Sequence, residues 1–192
     1  VSRDPQGAGA TLAELLKSPH VTSPTRQVLE ERLEARHEPR ALQADEFSRL
    51  QAVARRLVPP DPALFVPGEP DLAGAVDHRL ASGLGDGWRY DDTPPDLEAL
   101  KELLDVLPVD FVNQPSEGQD AHLRRLQERL PHAFEDLLAE LTEVYYSHPL
   151  VQVSLGVAPF ADAPGWTRIG LDEREEWEPQ VGGAAPSPER HG

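Results

Sequence analysis

Apolar residues return every three or four positions through most of this sequence, and 20 prolines cut that rhythm into short pieces. A repeat of this period lines one face of a helix, whereas a strand needs strict alternation. Proline ends such a run because it lacks a backbone N–H and its ring clashes with the preceding turn. Together the two features direct the chain toward short amphipathic helices packed on one another, an all-α helical bundle.

The first ten residues are polar and glycine-rich and read as loose. Thr11 followed by Glu14 makes a capping box for a helix with Leu12, Leu15 and Leu16 on its apolar face. Ser23 then caps a second helix, with Pro24 at its first position and Val28, Leu29 and Leu33 as its stripe. These two helices form an N-terminal appendage, residues 1–40, with Pro39 and Arg40 at the junction.

A helical domain is expected over residues 41–177, with about five core helices. Phe47, Leu50, Val53, Ala54 and Leu57 mark the first, ended by Pro59 and Pro60. Five prolines between Val58 and Pro70 make the next stretch an extended, stiff connector. Leu72, Val76 and Leu80 mark a helix stopped at Gly83, and Leu97, Leu100, Leu103 and Leu104 one that starts behind Thr93 and Pro94. Two more follow, "DAHLRRLQERL" and "HAFEDLLAELTEVYY", separated at Pro131, the latter with Phe134, Leu137, Leu138, Leu141 and Val144 inward. "LVQVSLGV", from Leu150, alternates and is the one strand candidate; its other reading is an irregular apolar clamp. An irregular C-terminal wrap closes the domain, and residues 178–192 read as a disordered tail rich in Gly, Ala, Pro and Ser.

Lys and Arg number 18 against 34 Asp and Glu, a net charge of -16, which opposes a nucleic-acid partner or an anionic membrane surface. No apolar run approaches the roughly 20 residues that cross a bilayer, so no direct membrane insertion is expected. No secretory signal is visible, so the sequence as written reads as cytoplasmic; export follows if the start lies elsewhere or a partner carries the signal. With no cysteine, disulfides, thiolate metal sites and a thiol nucleophile are excluded.

No catalytic, cofactor-binding or metal-binding residue is assigned. The serine nucleophile elbow is missing, and none of the seven histidines has the spacing of a zinc helix or of a di-iron bundle. "GLGDG", from Gly83, follows a helix and precedes Trp88, so it reads as a turn rather than a phosphate loop. Trp88, Tyr90, Tyr145, Tyr146, Phe160, Trp166 and Trp177 lie in or beside predicted loops. Such residues either plug a bundle end or anchor a partner, since Trp and Tyr are enriched at interface hot spots.

Several pieces, in order, carry a family resemblance: "EFSRLQAVARRLVPPD", "DLAGAVDHRLASG", "FEDLLAELTEVYYSHP" and "GWTRIG". Arg56 to Asp61, "RLVPPD", looks like an Arg-Leu-Ile-Pro segment; "YYSHP" looks like an aromatic pair before a His-Pro step, and Gly165-Trp166 like a late Gly-Trp. In this order they resemble the gluconate 2-dehydrogenase subunit 3 family, over roughly Ala41 to Trp177. The Gly-Gly-Asn turn typical of the family is replaced by "LVQVSLG", which marks a divergent branch.

The resemblance implies a noncatalytic small subunit with no cofactor of its own. Its large partner would be an FAD-dependent dehydrogenase of the glucose–methanol–choline oxidoreductase family that holds the FAD and the sugar or alcohol site; some complexes add a cytochrome c subunit. The partner interface would then take in Tyr145, Tyr146, His148, Phe160, Trp166 and Trp88. Two rivals stand beside it: a self-sufficient helical enzyme using His148 or Asp77, and a structural protein with no flavoprotein partner.

Overall fold

A computed structural model describes residues 7–60, 70–84, 94–160, 162, 167–168, 170–171 and 173–180, with backbone only for Gly7–Ala10. The described residues are all-helical, with eight α-helices and no strand. The helices are α1 (Gly7–Lys17), α2 (Ser23–Glu34), α3 (Ala44–Leu57), α4 (Leu72–Ala81), α5 (Asp96–Val106), α6 (Ser116–Arg129), α7 (Pro131–Ser147) and α8 (Pro149–Ser154). A short 3-10 turn, Phe111–Asn113, lies between α5 and α6.

The chain divides into two compact units. One comprises Val1–Ala35, Pro60–Glu69 and Tyr146–Gly192, the other Arg36–Pro59 and Pro70–Tyr145. The N-terminal helical pair therefore belongs with the C-terminal segment, and the first boundary falls at Ala35 rather than at residue 40.

In the second unit α3 is the central helix, packed against α4, α5, α6 and the 3-10 turn. Its start is a capping box in which the Gln43 side chain takes a backbone N–H while Glu46 accepts from the Gln43 amide at 2.6 Å. Leu50, Ala52, Val53 and Ala54 are buried, with Phe47 and Leu57 half-buried at the stripe's ends. Arginines on its flanks tie it to its neighbours. Arg49 donates to the Leu104 carbonyl at 2.8 Å, at the end of α5. Arg56 makes a two-pronged pair with Asp120 of α6, both bonds 2.8 Å. Arg79 of α4 reaches Glu140 of α7 at 2.8 Å.

α4 begins at Asp71, whose side chain accepts from the Gly74 amide at 3.1 Å, and stops at Gly83, whose φ of 68° lies in the left-handed region. Deeper in the same helix Asp77 is fully buried. Its carboxylate accepts from the backbone amides of Arg40 at 2.6 Å, Ala41 at 3.1 Å and Leu42 at 2.8 Å. The segment entering α3 is thus folded around one carboxylate. Asp71 adds the amide of His37 at 3.0 Å, and the His37 ring lies against that of His78, centroids 4.6 Å apart.

In the first unit α1 and α2 pack on α8. Their core joins Leu12, Leu15, Leu16 and Leu29 to Val153 and Phe160. Arg26 closes the α1–α2 turn by donating to the carbonyls of Leu16 and Val21.

Several sequence expectations are corrected. α1 starts at Gly7, so Thr11 lies inside the helix and is buried instead of capping it. α2 is capped at Thr22 rather than Ser23, and Val28 is 46 % exposed. α6 begins at Ser116, earlier than its apolar stripe. The strand candidate is helical as far as Ser154. Pro149 at the start of α8 supplies the fixed φ that suits a first helical turn, and burial of Pro149, Val151, Val153 and Ser154 outweighs the β-preference of valine. Within the expected tail, Glu178 and Pro179 are buried. The expected proline-rich connector and the tail from residue 181 lie largely or wholly outside the described residues.

Candidate functional site

The six residues expected at an interface separate into distinct environments. Tyr145 is only 5 % exposed and extends the buried face of α7 formed by Phe134, Leu137 and Leu141. Phe160 is buried too, with its ring 5.7 Å from that of Trp177 and nearly parallel to it. Trp177 in turn stacks on His20 at 4.6 Å. Tyr145 and Phe160 are therefore core residues, which corrects their expected place at a partner surface. Tyr146 is 48 % exposed, and His148 is half-buried at the N-cap of α8. Trp88 and Trp166 lie outside the described residues, as do Tyr90 and most of the "GLGDG" loop.

The C-terminal segment is held by carboxylates and one arginine. Asp162 accepts from the Thr22 amide at 2.6 Å and the Thr25 hydroxyl at 2.9 Å, capping α2 from a distant part of the chain. These bonds, the Thr22 amide foremost, hold its carboxyl below the ordinary value of 3.8. Glu175 accepts from the Thr167 hydroxyl at 2.7 Å and from the Thr167 and Arg168 amides, which also lowers its carboxyl. Arg174 donates to the carbonyls of Gly156 and Pro179. Sequence reasoning missed Asp162, because an acid in an irregular stretch carries no positional signal.

A carboxyl lowered by folding adds stability above its ordinary value that is lost as pH falls through the lower folded value. Asp162→Asn is therefore expected to destabilise the protein near neutrality. The gap from wild type should start to narrow as the pH falls below the ordinary carboxyl value and close only below the lower folded value, where the native carboxylate also protonates. Thermal midpoints of the two proteins from about pH 6 to about pH 3 check this; a gap independent of pH would overturn it.

Asp77 is the acid that the enzyme reading invokes beside His148. Its burial and three backbone donors give it an organising role in the fold. Among the described residues no group of three or more His, Asp or Glu side chains is arranged to hold a metal ion, and no helix is long and apolar enough to cross a membrane.

One cleft lies where α6 gives way to α7, lined by Ala99, Glu102, Arg129, Leu130, Pro131 and His132 among others. Its volume of about 210 Å³ is below the roughly 300 Å³ at which small-molecule sites begin. Comparison of the chain with protein-family models, with curated proteins and with solved structures finds no match.

Proposed function

We propose that this chain is a noncatalytic accessory subunit that binds an FAD-dependent dehydrogenase of the glucose–methanol–choline family and supports its folding, stability or export. The observation that carries the reading is the split of the aromatic pair in "YYSHP". Tyr145 is buried while the adjacent Tyr146 is 48 % exposed, just ahead of the His148-Pro149 start of α8. A tyrosine held this way offers a large amphipathic contact while losing few side-chain rotations on binding. The order of sequence pieces that resembles the gluconate 2-dehydrogenase subunit 3 family supplies the identity of the partner.

On this reading FAD and the sugar or alcohol are held by the large subunit. The chain's own contribution is a folded surface that covers apolar area of that subunit, so the assembled state is favoured by mass action over the unfolded one.

Co-expression with a glucose–methanol–choline-type flavoprotein is expected to raise both soluble yield and FAD per flavoprotein chain, with the two proteins co-purifying. Tyr146→Ala should weaken co-purification while the isolated chain still folds. Unchanged yield and FAD content without co-purification would overturn the reading.

A further inference from the structure

The connection from α5 to α6 is a rigid turn with two valines on its outside. Phe111 is fully buried and pins the turn from within. Its amide donates to the Pro108 carbonyl at 2.9 Å, and the Asn113 amide donates to Asp110 at the same distance. The buried side chain of Gln119 donates to the Phe111 carbonyl at 3.0 Å. On the outer side Val109 is 97 % exposed and Val112 42 %. Both are β-branched and stiff at χ1, and the backbone that carries them is already ordered, so a contact here costs little further entropy.

The free charge on the turn and the first turn of α6 is acidic. From Glu102 to Leu123 there are five acids and no lysine or arginine. Two of the five face arginines of α3: Asp120 is paired with Arg56, and Asp105 lies 3.7 Å from Arg49. Asp110 and Glu117 are exposed beside the turn, while Glu102 lines the cleft with Arg129 and His132; Asp110 also accepts from the Gln114 side chain at 3.0 Å. An apolar contact inside an acidic rim is complementary to a partner with a basic rim. A second copy, itself at a net charge of -16, would bring acid against acid.

We propose that residues 108–117 form a preorganised docking point for a protein surface that carries lysine or arginine around an apolar contact. The inference rests on the accessory-subunit reading, and assigns that basic surface to the flavoprotein partner. The contact deepens that reading by placing a second anchor on the chain besides Tyr146.

The test uses the full chain and the purified flavoprotein, with affinity measured by calorimetry at low and high salt. Val109→Lys/Val112→Lys removes the apolar contact and reverses the local charge at exposed positions. It is expected to weaken binding by at least about 10-fold with the thermal midpoint unchanged. Wild-type affinity should fall as salt rises, and Asp110→Asn/Glu117→Gln should flatten that dependence. If wild type and the double lysine variant bind equally tightly, the docking point is wrong and the accessory-subunit reading stands. If the wild type itself does not bind, the accessory reading falls and this inference with it. A wild-type dimer in light scattering that the lysine variant abolishes would assign the surface to a second copy and overturn the basic-partner assignment.

Discussion

Asp77→Ala is expected to lower the thermal midpoint by on the order of 10 °C, the result of losing about 3–5 kcal/mol. The carboxylate is fully buried and receives three backbone N–H groups, from Arg40, Ala41 and Leu42. Alanine takes away the acceptor and leaves those donors facing a void, so their desolvation is uncompensated. Asp77→Asn refines the argument. Its carbonyl oxygen can stand in for the oxygen that serves Ala41 and Leu42, but its amide nitrogen then faces the Arg40 N–H, donor against donor. A loss between wild type and alanine is expected. Melting followed by circular dichroism checks both, and a midpoint within about 2 °C of wild type for Asp77→Ala would overturn the organising role.

Phe160→Ala is expected to cost about 3–4 kcal/mol, the range for a large aromatic removed from a packed core. The side chain is 8 % exposed and joins Leu12, Leu15, Leu16, Leu29 and Val153 in one cluster, with Trp177 stacked on its face. Its loss should free Trp177, shift tryptophan emission to the red and expose residues 173–180 to proteases. The same substitution would leave stability unchanged if Phe160 were an interface anchor, so the measurement separates core from contact. Tyr146→Ala, at a half-exposed position, is the control.

Much of the second unit was legible because its helices obey the simplest rule. α3, α4, α5 and α7 each present a stripe at spacings of three and four that is buried or half-buried as expected. The misses fall where that rule carries little information. The first turn of α1 consists of Gly and Ala residues, which resemble a loose terminus, and the first turn of α6 is "SEGQ", polar throughout. α8 has six residues, too few for its period to be read from apolar content alone. Pro149 was the available sign of a helix start.

The candidate site was less legible for a related reason. Tyr145 follows Phe134, Leu137 and Leu141 at spacings of three, four and four, so its burial was readable from the stripe. Asp77 also follows buried Ala73 and Val76 on the inner side of α4, where an acid needs local donors. Val109 and Val112 left no trace in the pattern, because whether a turn valine points inward depends on the tertiary placement of its neighbour Phe111.

The make-up of the first unit has a consequence for synthesis on the ribosome. Its core needs Leu12 and Leu29 from the beginning of the chain together with Val153, Phe160 and Trp177 from much later. Nascent α1 and α2 therefore emerge with apolar faces whose later partners, from Val153 onward, are still more than a hundred residues from being made, and must close a long loop before that area is fully covered. The residues from Arg36 to Tyr145 hold every part of the other unit and are all made earlier. That unit is free to fold first, co-translationally, while the paired N-terminal helices wait as a client for whatever shields apolar surface at the exit tunnel.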